Sequence, residues 1–381
     1  MPLIHVTDLL QHAYRHSYAV SAFDAINLEV LEAIVAGAEL SRSPLVLCLT
    51  EPHSACADFE LLAAAAETAA KRATVPVALH FDRGETLDSA IRAVNLGCNS
   101  VLEDTGREPL ETNIERTRKI ADMARDCGVA VAGVLGDIDP NGSPQLPTPD
   151  TAKRYVDDTG VDFLALALGP VHQRSDSPNV AADALGAINS RVERPLALTG
   201  GRGLTAERAG AWCANGVALI NHYTVLVDAI ETSLRTTTQA SAGYPDMLKE
   251  MREAVAAAVI RCQQISGAAG RADQAINHCR PWREVEHLII YNVTDTTGDA
   301  DISQMMEEGR RTLSAIPGVR RVFTGTAVKD DAQYRHTWLV RFTHENVIDS
   351  YRVHPDHVNF ADTLFRPRAA DRISIDYQDQ P

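Results

Sequence analysis

Short apolar runs alternate with stretches of helical periodicity over the first 230 residues. Eight runs predict strands at 18–23, 44–49, 75–81, 100–102, 129–135, 163–168, 195–198 and 216–221. Segments such as VPVALHF and DFLALAL are apolar throughout, as strands covered on both faces must be. Between them lie periodic stretches that predict helices, for example 28–41 and 87–96. Eight strand–helix units favour a (β/α)8 barrel over a doubly wound open sheet. A long helix is expected over 245–266, ended by the glycine-containing segment 267–270, with a polar linker over 271–283. The pattern then changes to strand 287–293, helix 302–316, strands 321–326 and 337–342, a helical stretch over 346–364 and a last strand over 372–377. This βαββαβ order is that of a ferredoxin-like α+β domain. The expected organisation is therefore a barrel over 1–272, a linker over 273–283 and a small domain over 284–379.

Composition narrows the partners. The 381 residues carry a formal net charge of −15, which repels nucleic acid and anionic membrane surfaces but leaves room for a local anion pocket. No apolar run is long enough to span a bilayer, and the opening MPLIHVTDLL lacks the regions of a signal peptide. Seven scattered cysteines, none in a CxxC pair, read as reduced thiols of a cytoplasmic protein.

In a (β/α)8 barrel the chemistry sits at the carboxyl ends of the strands. The polar residues expected there are Asp24, Glu51, Asp82, Arg83, Glu103, Asp104, His172, the glycine-rich turn 200–203, Asn221, His222 and Thr224. Any one of them alone reads equally well as a helix cap or a solvated loop end. Two motifs are sharper. TGGRG places Gly200, Gly201 and Gly203 after the seventh strand, where backbone N–H groups can approach an anion, and Arg202 adds a guanidinium suited to phosphate. HFDRG sets Asp82 at the end of a buried strand, where a carboxylate can transfer protons.

The segments AVSAFDAINLEVLEAIVAGAELSRSPLVL, VPVALHFDRGETLDSAIRAVNLGCNSVLED, TGVDFLALALGPVH, PLALTGGRGL and GVALINHYT resemble, in order and spacing, the class II ketose-bisphosphate aldolases. The resemblance covers about residues 1–272. It implies a zinc held by three histidines that polarises a ketose carbonyl. Here those three positions read Arg83, His172 and Thr199, and the glutamate implied on the fifth strand is replaced by Val134. An arginine stays protonated and cannot ligate a metal. No cofactor is therefore expected, and metal-independent carbon–carbon bond chemistry is. The resemblance makes Asp82 the acid/base, with Arg83 and His172 stabilising an oxyanion. It assigns Gly200, Gly201, Gly203, Asn221 and Thr224 to substrate phosphate. The implied substrate is a small anion such as a sugar phosphate.

The motif SYRVHPDHVNFAD resembles the signature of the stress-responsive Dabb domains, which pair as dimers. It is also similar to polyketide-cyclising members of that family, whose pocket positions correspond to His287, His336, Tyr351 and His357. A Tyr–His pair there can polarise a carbonyl and remove a proton. The same histidines equally serve as helix caps, so the small domain either adds a second step or only makes a homodimer. Two alternatives stand beside the lyase reading. One is an inactive sensor or scaffold that keeps anion binding. The other is a metal-dependent aldolase with ligands relocated to His172, His222, Glu103 and Asp104.

Overall fold

The structure is a computed structural model and describes residues 3–55, 57–138, 144–166, 180–200 and 202–378. The chain divides into two compact units, one holding most of residues 1–281 and the other residues 282–381 together with 91–97 and 122–129.

Eight parallel strands close the first unit into a barrel: β1 (Val20–Asp24), β2 (Leu45–Thr50), β3 (Val77–Gly84), β4 (Ser100–Glu103), β5 (Ala130–Leu135), β6 (Phe163–Leu166), β7 (Leu196–Thr199) and β8 (Val217–Asn221). Each lies within two residues of its expected position except at the end of β3, which runs three residues further, to Gly84; the end of the sixth run, 167–168, is outside the described residues. Closure pairs Ala22 of β1 with Asn221 of β8 and Asp24 with Cys48 of β2. Helices start where the sequence supplies a cap. Asn27, Asp58, Thr148 and Thr205 each accept a first-turn N–H, and each cap contributes about 1 kcal/mol.

One continuous apolar cluster shows which strand positions face the lumen. Val20, Ala22, Val46, Cys48, Ala78, Leu102, Ala130, Ala132, Val134, Phe163, Ala197 and Leu219 pack together, along with Leu9, Leu10 and Ala13 of the helix Val6–Arg15. Alternation then assigns the lumen to every second residue of each strand. Some glycines mark close approaches. A Cβ at Gly133 would lie 2.5 Å from the ring of Tyr155, and one at Gly37 would lie 2.8 Å from the carbonyl of Ala256 on the long helix Tyr244–Ile265. The polar stretch expected as linker contains a helix, Ala272–His278, because Ala272 and Ala275 find burial there.

Six cysteines, Cys48, Cys98, Cys127, Cys213, Cys262 and Cys279, are buried free thiols. Two imidazoles are also deeply placed. His12 bonds the Tyr18 hydroxyl at 2.9 Å, and burial, followed by the charges of His16, His278 and Arg271, pushes its pKa down to about 4. Burial pushes His222 down to about 3. The unfolded chain protonates such groups near the ordinary value of 6.5, so it binds more protons than the fold does below that pH. Stability is thus fully present above pH 6.5 and falls as pH drops towards 4. His12→Asn is expected to flatten that fall, read as the difference in urea midpoint between pH 7 and pH 5. An unchanged difference would show that His12 does not contribute to it.

The second unit is a four-stranded antiparallel sheet of β9 (Val285–Val293), β10 (Val319–Thr326), β11 (His336–Phe342) and β12 (Ala369–Gln378), in the spatial order β10–β11–β9–β12. Helices Asp299–Leu313, Val347–Val353 and Pro355–Phe360 complete the ferredoxin-like order. Trp338, Val340, Phe342 and Tyr291 form the buried side of the sheet. The alternate residues Phe323, Ile373, Ile375 and Tyr377 are 40–49% exposed, an apolar set on the other side. Among the described residues of either unit, no helix is long and apolar enough to cross a membrane.

Candidate active site

The lumen parity, carried to the carboxyl ends of the strands, brings Asp24, Thr50, Asp82, Thr199 and Asn221 into one layer at the barrel mouth. Asp82 is buried, with Oδ1 3.8 Å from His80 Nε2 and Oδ2 3.8 Å from Arg83 Nε. Arg83 Nη1 lies 3.5 Å from Asp104 Oδ2. One guanidinium therefore stands between two carboxylates, its side chain only 18% exposed. Arg83 reaches this position from a left-handed backbone, φ 59°, where the β3–β4 register shifts between Phe81 and Gly84. Such a conformation costs a residue with a Cβ about 1 kcal/mol.

Below Asp82, His80 bonds Ser100 Oγ at 2.9 Å through Nδ1, and burial lowers its pKa even though the neighbouring Asp82 charge raises it. Beside Asp82, the Thr50 hydroxyl donates to Asp24. His53, in the short helix Glu51–Ala55, stacks on Tyr223 at 5.4 Å. Its pKa is lowered by burial, against the opposing pull of the Asp82 charge. Asp24 and Glu51 were visible as rim acids. Thr50, His80 and His53 were not singled out, although two of them, Thr50 and His80, share the parity of Asp82.

Other expected rim groups point elsewhere. His222 stacks on Phe23 at 5.4 Å, on the outer side of the wall, and its Nε2 is buried without a hydrogen-bond partner among the described residues. Glu103 turns out of the lumen to the Arg116 guanidinium at 2.6 Å. Glu51 accepts the Glu85 N–H at 2.6 Å. His172 and Gly201 lie outside the described residues. In the seventh and eighth loops, the Gly200 N–H donates to the Asn221 carbonyl at 2.7 Å, so it belongs to the sheet ladder and is not free for an anion. Gly203 has φ 74° and open space around it. Arg202 forms a two-pronged ion pair with Asp228 at 2.6 and 3.0 Å. Asn221 Oδ1 has no partner among the described residues, and Thr224 is buried in the first turn of the helix Tyr223–Gln239. That turn carries no acidic residue, so its positive end is unopposed.

A cavity of about 1100 Å³ opens between Tyr223–Gln239 and Tyr244–Ile265 and reaches Arg202 and His222. It lies on the helix side of the wall and does not include Asp82, Arg83 or Asp104. The mouth, where charged groups converge, is the better place for chemistry.

In the second unit three of the four expected residues meet. The rings of Tyr351 and His357 are 4.3 Å apart, and His287 lies 6.2 Å from Tyr351. His287 Nδ1 is 2.6 Å from Asp376 Oδ1, its cross-strand neighbour on β12, a partner that sequence reasoning missed. Burial raises the Tyr351 hydroxyl well above its ordinary pKa and lowers that of His357. His336 is not part of this group. It pairs in register with Tyr291 while His287 pairs with Val340, four residues away, about 13 Å along the strand.

Residues 4–271 match the family described as fructose-bisphosphate aldolase class-II, and residues 285–379 match the stress responsive A/B barrel domain. A probable fructose-bisphosphate aldolase of Bacillus subtilis is 30% identical over 285 residues, covering 71% of this chain and 100% of its own. A sulfofructosephosphate aldolase of Alkalicoccus urumqiensis is 29% identical, covering 61% of this chain and 84% of its own. The crystal structure of the YdjI aldolase from Escherichia coli superposes with a TM-score of 0.65 at 26% identity, covering 71% of this chain and 99% of that one. With its closed eight-stranded barrel and its rim of carboxylates, the chain belongs to the class II fructose-bisphosphate aldolase family and continues into a stress-responsive A/B barrel domain.

Proposed function

We propose that this protein is a carbon–carbon lyase of aldol type, acting without a metal on a small phosphorylated or carboxylated substrate. The carrying observation is Arg83, whose guanidinium lies 3.8 Å from Asp82 and 3.5 Å from Asp104 in the mouth. In such a place a fixed cation can hold the negative charge that an aldol step develops on oxygen. Zinc held in the family manner does not fit these residues. Arg83 offers no lone pair, and its charge opposes a divalent ion. Thr199 offers only a hydroxyl, where softer imidazole or thiolate donors are the usual zinc ligands. The described members of the relocated set do not converge either, since His222 is stacked outside the wall and Glu103 is held by Arg116.

In this reading Asp82 moves the proton of the reacting hydroxyl. Arg83 and His172 bind the oxyanion. Gly203, Asn221, Thr224 and the first turn of Tyr223–Gln239 receive the anionic group. The homologues named for fructose-bisphosphate and sulfofructosephosphate set the first substrates to try. The test is turnover of ketose phosphates by purified full-length protein before and after exhaustive chelation, with elemental analysis. Activity that survives chelation, with no stoichiometric metal, is expected. One equivalent of a divalent metal and loss of activity on chelation would replace this reading with a metal-dependent one. Binding without turnover on every substrate would leave a sensor.

The apolar set on the second unit supports a homodimer built through that sheet face. Exposed apolar area of this kind favours burial against a second copy. Replacing both Ile373 and Ile375 by Asp is expected to shift the protein from dimer to monomer in sedimentation velocity. A variant that stays dimeric would place the interface elsewhere.

A further inference from the structure

Among the described residues, one fully buried carboxyl of the mouth forms no ion pair. Asp24 ends β1, is 1% exposed and faces the lumen by parity. Its Oδ1 accepts the Thr50 hydroxyl, and its Oδ2 is buried with no hydrogen-bond partner among the described residues. Three described acids nearby are paired. Asp82 and Asp104 lie within 4 Å of Arg83, and Glu103 holds Arg116. An ionised carboxylate with an orphaned oxygen is costly in a buried site, and a proton is the least expensive remedy. The groups facing Asp24 are Thr50 and Cys48 from β2, Asp82 from β3, and the more distant charge of Arg83. Burial and then the Asp82 charge raise the Asp24 pKa to about 7. Burial also keeps Cys48 a neutral thiol. Two neighbouring carboxyls in unlike environments are the usual arrangement for an acid and a base in one site.

We infer that Asp24 is a second catalytic residue of the barrel, the acid that protonates the enolate carbon while the Asp82 carboxylate serves as the base. The inference rests on the aldol reading above. In the cleavage direction Asp82 takes the proton of the hydroxyl β to the carbonyl. The carbon–carbon bond breaks, its electron pair passes into an enolate, and an aldehyde leaves. The Asp24 O–H then protonates the enolate carbon. Asp82 ends protonated and Asp24 ionised, and transfer of one proton between them restores the starting state. No oxidant or reductant is needed.

The test uses the full chain with dihydroxyacetone phosphate in deuterium oxide, following loss of the carbon-bound proton by NMR. This exchange runs the acid step in reverse and requires ionised Asp24, so its rate rises with pH through about 7 in the wild type. Asp24→Asn is expected to lower exchange at least about 100-fold. Its melting temperature above pH 7 should equal or exceed that of the wild type. The reason is that a raised carboxyl pKa gives stability that is complete below pH 3.8 and lost as pH rises through 7, a loss the amide does not suffer. Thr50→Val removes the hydroxyl that favours ionised Asp24 and should move the pH limb upward. Exchange by Asp24→Asn within threefold of wild type, or an unmoved limb in Thr50→Val, would overturn the inference and leave the aldol reading standing. A wild type silent on this probe and on fructose 1,6-bisphosphate would overturn both.

Discussion

Asp82→Asn is expected to lower kcat by about 10²–10⁴-fold, the usual contribution of a positioned proton-transfer group. The amide keeps the shape of the side chain, so binding and fold should change little. KM within a few-fold of wild type would place the loss in the chemical step. The His80 and Arg83 contacts at 3.8 Å are long enough for an amide to sit there without collision. A variant that keeps a tenth or more of wild-type kcat would remove Asp82 from proton transfer and favour an anion-binding role for the mouth.

The second large effect is expected at Arg83. Arg83→Met keeps the packing of the stem and removes the charge, and kcat should fall by about 10²–10³-fold, as for the loss of a fixed oxyanion-stabilising group. The effect belongs on kcat, because the charge it stabilises exists only along the reaction. A rise in KM with kcat unchanged would mean that Arg83 only binds the substrate's anionic group. Arg83→Lys tests geometry. An ammonium is a point charge without the planar fork that lets one guanidinium reach towards both Asp82 and Asp104, and only partial recovery is expected.

The strands were legible because burial on both faces writes them as unbroken apolar runs. VPVALHF and DFLALAL became β3 and β6, with starts within two residues and β3 running three residues further, to Gly84. The same uniformity hides which residues face inward. Nothing in AVSAFD marks Asp24 as lumenal, and nothing in INHY sends His222 outward. Closure of the barrel decides that, through pairings such as Ala22 with Asn221. Arg202 looked like a phosphate ligand because its partner Asp228 lies 26 positions away on a different element. Asp376 escaped notice for a similar reason, since its meeting with His287 depends on cross-strand register. The resemblance groups His336 with the other three pocket residues, but four residues of strand separate it from the register of His287.

The chain's seven cysteines all precede residue 280, and the six described ones are buried. Burial pushes Cys127, Cys213, Cys262 and Cys279 up to about 12, leaving almost no thiolate at neutral pH. An alkylating reagent reaches a buried thiol only when the surrounding structure opens. The C-terminal domain, which has no cysteine, is chemically silent to such a reagent. With Cys56 and Cys127 replaced by Ser, the labelling rate in graded urea therefore times the opening of the first unit alone. With Trp212 replaced by Phe, the Trp282 and Trp338 emission follows the second unit in the same tube, so one experiment resolves whether the two units of this fusion unfold together or in turn.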